Sequence, residues 1–228
     1  MRMKPLLSDV DAVLFDLDGT LVETNIDFPL MKREVVALAV ESGLPAEEVQ
    51  GLDILGVLAR TVEFLTASGR PSDAGQVRSR GMDILEEIEL RHASDTQEIA
   101  FAKELVDHLR GCGIGIGIVT RNCRRASEIS LSITGICADV VICREDSNNH
   151  KPHPEPILLA LSTLHADPRN SIMVGDHIMD VQAGKAAGMK TIGFLREDRP
   201  RDFFDEVAPG LVACDLREVL DAIIGRDS

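Results

Sequence analysis

Six short apolar runs, at residues 12–15, 114–119, 140–143, 171–174, 191–194 and 211–214, constrain this chain most strongly. The first, Ala-Val-Leu-Phe, is apolar on both faces, as a strand buried inside a parallel sheet must be. Amphipathic stretches separate the later runs, at residues 96–110, 124–133, 154–164, 180–187 and 216–224. In the first of these, Ile99, Ala102, Leu105, Val106 and Leu109 form one stripe at helical spacing. Strands alternating with helices imply right-handed crossovers and hence an α/β fold with a doubly wound parallel sheet.

One block breaks the rhythm. Residues 23–94 contain no strand pattern but read as helices, at 28–42, at 54–68 behind an Asp53 cap, and onward to His92 from a Ser72 or Asp73 cap. The expected organisation is a core of residues 1–22 and 95–228 with a small helical domain, residues 23–94, inserted after the first strand. With no Trp or Tyr in the chain, the core is mostly aliphatic.

The formal net charge of −14 opposes nucleic acid and anionic membrane as partners. It also repels phosphorylated ligands, so a site for one needs cations of its own. Five cysteines, odd in number and without a CxxC, fit reduced thiols and a cytoplasmic location. Residues 1–7 are too short for the apolar region of an export signal, and no apolar run approaches a membrane span.

The chemistry-bearing residues fall at strand ends. Asp16 and Asp18 follow the first run, and residues two apart in an extended segment point the same way. Two carboxylates at a buried strand end repel each other, and a divalent cation explains their pairing, although Asp18-Gly19 is also a common turn pair. Thr120 and Arg121 follow the second run, Lys151 comes after the third, and Asp176 and Asp180 follow the fourth. Taken singly, Asp176 reads as a helix cap, Asp180 as a solvated first-turn acid and Lys151 as a surface lysine. Parallel sheets bind ligands at this edge, near the switch in strand order.

In order and spacing, these residues resemble the haloacid dehalogenase superfamily. Asp16-Leu17-Asp18-Gly19-Thr20-Leu21 fits its first motif and Thr120 its second. Lys151-Pro152-His153-Pro154-Glu155-Pro156 fits the third, and Gly175-Asp176-His177-Ile178-Met179-Asp180 the fourth. The inserted helices resemble the family's C1 cap. The resemblance implies a Mg²⁺-dependent phosphatase of the phosphoglycolate phosphatase type, acting on a small phosphorylated metabolite. Asp16 would be the nucleophile forming an aspartyl-phosphate, and Asp18 the general acid and base. Asp16, the Asp18 backbone carbonyl and Asp176 would hold Mg²⁺, with Asp180 in support. Thr120, Lys151 and Arg121 would bind substrate.

The resemblance also orders the alternatives. A dehalogenase has no alkoxide to protonate, so Asp18 argues against it. A phosphonatase uses a cap lysine, and Lys32 is the single lysine of the insertion. A phosphomutase of the β-phosphoglucomutase type shares the motifs and differs in product. A regulatory protein on a phosphatase scaffold would be expected to have lost a catalytic acid. The motifs leave the substrate and the oligomeric state open.

Overall fold

The computed structural model describes residues 9–225, so residues 1–7, read above for an export signal, lie outside it. By internal packing the chain divides into two units. One takes the described residues up to Thr24 and those from Ala93 onward, and the other is Asn25–His92.

The first unit begins with strand β1 (Ala12–Phe15) and the two-residue strand β2 (Val22–Glu23). After the second unit it resumes with β3 (Gln97–Glu98), helix α4 (Ala102–Gly111), β4 (Gly115–Val119), α5 (Arg124–Thr134) and β5 (Val140–Ile142). It ends with α6 (Glu155–Leu164), β6 (Ser171–Gly175), α7 (Ile178–Ala186), β7 (Lys190–Phe194), β8 (Leu211–Ala213) and α8 (Leu216–Ile224). Six strands form one parallel sheet in the order β5-β4-β1-β6-β7-β8. The chain winds outward from β1 through β4 to β5, returns to β6 on the other flank of β1, and winds outward again. β1 is therefore the switch point, where a doubly wound sheet opens a crevice at its carboxyl edge.

The two-residue period of a strand sorts the core. Val13 and Phe15 lie in one apolar cluster with Leu105 and Leu109 of α4 and Leu216 and Val219 of α8. Ala12 and Leu14 lie in a second, with Ile157 and Leu161 of α6 and Ala183 of α7. Helices thus cover both faces, and all four β1 residues are buried.

The second unit has three α-helices, α1 (Phe28–Glu41), α2 (Ile54–Ala67) and α3 (Pro71–Ala93, its last residue in the first unit), and a 3-10 turn at Ala46–Val49. Asp27 and Asp53 cap the first two, accepting from the amides of Leu30 at 2.8 Å and Gly56 at 2.9 Å. Met31, Val35 and Leu38 of α1 share a core with Val57, Leu58 and Leu65 of α2 and Val77, Leu85 and Ile88 of α3.

Two local expectations are corrected. The stretch 96–110 is not one helix. Gln97–Glu98 pairs antiparallel with Val22–Glu23, Phe101 is left-handed at φ 73°, and the helix starts at Ala102. Backbone pairing, including Ile99 N–H to the Leu21 carbonyl at 3.0 Å, overrides the amphipathic stripe there. Ser72 and Asp73 are not caps either: α3 starts at Pro71, whose fixed φ suits the first helical position, so both lie inside it.

Candidate active site

β1 delivers Asp16 to the carboxyl edge, with its amide donating to the Val174 carbonyl of β6 at 2.9 Å. The chain then tightens into a turn in which the Leu17 carbonyl accepts from the amides of Leu21 at 2.9 Å and Val22 at 3.0 Å. Leu17 and Leu21 are buried in the core and anchor that turn. Gly19 takes a φ of +84°, which a side chain would resist, and a Cβ there would lie 2.4 Å from Oδ2 of Asp176. Gly175 likewise makes room for Asp180, whose Cβ would lie 2.3 Å from an added Cβ. These two glycines let carboxylates from β6 and α7 close on the β1 turn.

Carboxylate oxygens of Asp16, Asp176 and Asp180 all lie within 4.8 Å of one another. Lys151 Nζ donates to Asp16 Oδ1 at 2.5 Å, pairs with Asp180 Oδ1 at 2.7 Å, and donates to the Val119 carbonyl at the end of β4 at 2.7 Å. The other oxygen of Asp180 accepts from the His177 amide at 3.0 Å. His177 is the cap of α7, its Nδ1 accepting from the Met179 amide at 3.2 Å, so helix capping does not account for Asp176. The Asp176 amide donates instead to Thr20 Oγ1 at 3.0 Å. Asp180 is buried, not solvated, and Lys151 is 4% exposed, not a surface lysine.

Burial raises Asp16 well above the carboxylate range; Lys151 opposes this, and Asp180 and Asp176 add to it. Burial, then Asp180, push Asp176 up to about 7. For Lys151 burial works against the charge, but Asp16 and Asp180 outweigh it and raise the pKa. One lysine thus leaves two buried carboxylates and one half-buried one undercompensated. A divalent cation with oxygen ligands would correct that imbalance, so the donor set fits one.

Asp18 has different surroundings. Its Oδ1 accepts from the Thr24 hydroxyl at 2.7 Å and the Thr24 amide at 3.3 Å. Its Oδ2 is buried without a hydrogen-bond partner, an arrangement that costs roughly 1–3 kcal/mol in a folded protein. Burial pushes its pKa up to about 6 against the pull of Thr24. The two carboxylates of the first motif are therefore inequivalent. Asp16 is paired with a cation, and Asp18 can hold a proton and presents a free oxygen.

Thr120 lies buried at the end of β4, its Oγ1 accepting from the Asn122 amide at 3.1 Å. Arg121 places Nη1 3.0 Å from Met179 Sδ of α7. The Arg121 carbonyl accepts from Nη1 of Arg144 at 3.0 Å, and the Arg144 amide donates to the Asn122 carbonyl at 3.1 Å. Asp16, Lys151 and Asp180 are thus joined directly, a carboxylate oxygen of Asp176 lies within 4.8 Å of both acids, and Thr120 and Arg121 belong to the neighbouring strand end. The sequence reading gave no role to Thr20, Thr24 or Arg144. Hydroxyls close behind a carboxylate pair were a usable signal for the two threonines. Nothing sets Arg144 apart before Glu145 and Asp146.

Residues 13–194 match the family described as haloacid dehalogenase-like hydrolase. Pyrophosphatase PpaX of Bacillus velezensis is 35% identical over 187 residues, spanning 81% of this chain and 82% of that protein. The N-acetylmuramic acid 6-phosphate phosphatase of Pseudomonas putida is 30% identical over 222 residues, spanning 93% of this chain and 97% of its own. A haloacid dehalogenase family hydrolase of Deinococcus radiodurans, solved with bound phosphate and sodium, shares the fold at a TM-score of 0.63. It is 24% identical, over 95% of this chain and 96% of that one. With β2 through β7 and all but the first residue of β1 inside the matched range, the chain belongs to the haloacid dehalogenase-like hydrolase family.

Proposed function

We propose that this enzyme is a Mg²⁺-dependent phosphatase that hydrolyses a phosphomonoester of a small metabolite through an aspartyl-phosphate on Asp16. One observation carries the reading. Asp16 is buried against Lys151 and two further carboxylates, while Asp18, two residues on, keeps one buried oxygen without a partner. The two relatives compared above are named for hydrolysis of small phosphorylated compounds, which supports the same class. The sodium- and phosphate-bound structure supports the fold alone.

In this scheme an Asp16 oxygen bonds to phosphorus as the bond to the leaving oxygen breaks, and Asp18 gives that oxygen its proton. Asp18 then takes a proton from water, the water oxygen bonds to phosphorus, and the Asp16–phosphorus bond breaks to release phosphate. Thr120 and Lys151 bind the phosphoryl oxygens, with Arg121 assisting. Asp16, the Asp18 carbonyl and Asp176 would hold Mg²⁺, and Asp180 orients Lys151 through their ion pair. The ion, when bound, neutralises charge on the phosphoryl group. The helical unit 25–92 acts as the substrate-selecting cap.

A rapid quench with labelled phosphodonor, followed by mass mapping, tests the scheme. Label on Asp16, free phosphate as product and loss of both in EDTA are expected. Label on Asp18, or full turnover in EDTA, overturns it. An isomerised phosphosugar in place of free phosphate would mark a mutase. Ca²⁺ should restore activity poorly, since it prefers more ligands at longer distances than Mg²⁺.

A further inference from the structure

The turn after β5, Arg144–Asp146, bonds through all three of its residues to the segment 121–124 that follows β4. Arg144 Nη1 donates to the Arg121 carbonyl at 3.0 Å, and its amide to the Asn122 carbonyl at 3.1 Å. The Glu145 carboxylate accepts from the Arg124 amide at 3.1 Å, and Asp146 pairs with the Arg124 guanidinium. Glu145 and Asp146 do this from the surface, whereas Arg144 is 5% exposed. Bracing a loop does not require a buried cation, which loses its hydration.

The peptide that Arg144 holds leads to Thr120. The Arg121 carbonyl and the Asn122 amide belong to one planar group. Arg144 binds its oxygen, and its N–H donates to Thr120 Oγ1 at 3.1 Å. A hydroxyl oxygen that accepts this bond keeps its own hydrogen for another partner. The direction in which Thr120 can donate is therefore set by the peptide, and the peptide by Arg144. A cation at the carbonyl end also polarises the group, so the N–H and then the hydroxyl beyond it become stronger donors. Thr120 itself is fixed to the sheet, its amide donating to the Ile142 carbonyl at 2.9 Å. Lys151 holds the preceding carbonyl, that of Val119, at 2.7 Å.

We propose that Arg144 is a positioning residue for the phosphoryl group, one that acts through the Arg121–Asn122 peptide to aim and strengthen the Thr120 hydroxyl. The inference rests on the phosphatase reading, which gives Thr120 a phosphoryl oxygen to bind. It sets a further positive charge behind the site of a chain whose net charge of −14 repels phosphate.

A double-mutant cycle, read by calorimetric titration of inorganic phosphate with Mg²⁺ present, tests this without depending on turnover. Arg144→Met should weaken phosphate binding about tenfold in the wild-type background. In a Thr120→Val background, where the hydroxyl is gone, the same substitution should change nothing further. Arg144→Lys, which keeps a charged donor, should retain part of the affinity. If Arg144→Met does not fold, Arg144→Lys set against Thr120→Val reads the same coupling. Glu145→Ala loosens the turn from its exposed side; it should lower the melting midpoint and leave phosphate affinity alone. Losses that add in the double variant, full affinity in Arg144→Met, or an equal loss in Glu145→Ala overturn the proposal and leave Arg144 as a brace. Wild-type protein that binds no phosphate overturns the phosphatase reading itself, and the proposal with it.

Discussion

The two units use their polar residues differently. In the first, strand ends force Asp16, Lys151, Asp176 and Asp180 together under burial, where each carboxylate raises the cost of its neighbours. In the second, polar residues mainly finish helices or pair at the surface. Asp27 and Asp53 cap helices, Arg70 pairs with Asp73 at 2.7 Å, and Arg60 pairs with Glu48. Buried carboxylates without enough countercharge work against folding, whereas caps and exposed pairs stabilise it modestly. The contrast teaches where to look for chemistry: in the unit whose charges its own fold does not explain.

The largest effect should come from Asp16→Asn. An amide is a far poorer nucleophile, and the cation site loses an anionic ligand, so phosphate release should fall by at least about 10⁴-fold. Arg70→Ala in the helical unit breaks the exposed Asp73 pair and a 3.0 Å bond to the Ser42 carbonyl. It should cost under about 1 kcal/mol of stability and leave the rate close to wild type. Comparable rate losses in steady-state assays would erase the contrast between the units.

Lys151→Met comes next, and it reads the charge balance in two ways. Loss of a fixed cation at the phosphoryl group should remove about 2–4 kcal/mol of transition-state stabilisation. It also leaves Asp16 and Asp180 buried without their partner, a change that typically destabilises by about 3–5 kcal/mol. Thermal melts in EDTA should therefore show a marked loss, and Mg²⁺ should recover part of it. If Mg²⁺ protects neither the variant nor the wild type, the cluster does not hold the ion.

How far the sequence disclosed this arrangement also differs between the units and within them. Strand ends were legible because an apolar run that stops at an acid fixes both a strand and an edge, as Phe15-Asp16 and Val174-Gly175-Asp176 do. The β2–β3 ribbon was not, because two residues cannot display a period, and the stripe through Ile99 mimicked a helix start. The inequivalence of Asp16 and Asp18 was expected from family likeness alone. Its physical cause, Lys151 on one and Thr24 on the other, depends on residues far apart in sequence for the first and on the turn for the second. Arg144 stayed hidden because burial of an arginine is a tertiary fact with no local signature. In the helical unit Asp53 was readable as a cap because capping is local. Pro71 displaced the expected cap at Ser72 for an equally local reason that the reading missed.

The smallest and most discriminating comparison uses two glycines with nearly the same backbone. Gly19 in the β1 turn has φ +84°, and Gly69 after α2 has φ +73°. Alanine in this left-handed region costs roughly 1–2 kcal/mol at either site. Their surroundings differ: nothing lies within 4 Å of a Cβ added at Gly69, whereas at Gly19 it would meet Asp176 Oδ2 at 2.4 Å. Gly69→Ala should lower the melting midpoint and leave Mg²⁺ affinity alone. Gly19→Ala should lower it similarly and, by pushing Asp176 aside, weaken Mg²⁺ by about tenfold, since a carboxylate ligand acts only at bonding distance. Melting curves with and without Mg²⁺, together with calorimetric titration of the ion, separate the two effects. Equal Mg²⁺ affinities in the two variants would mean that Asp176 is not a ligand, and that Gly19 serves only the turn.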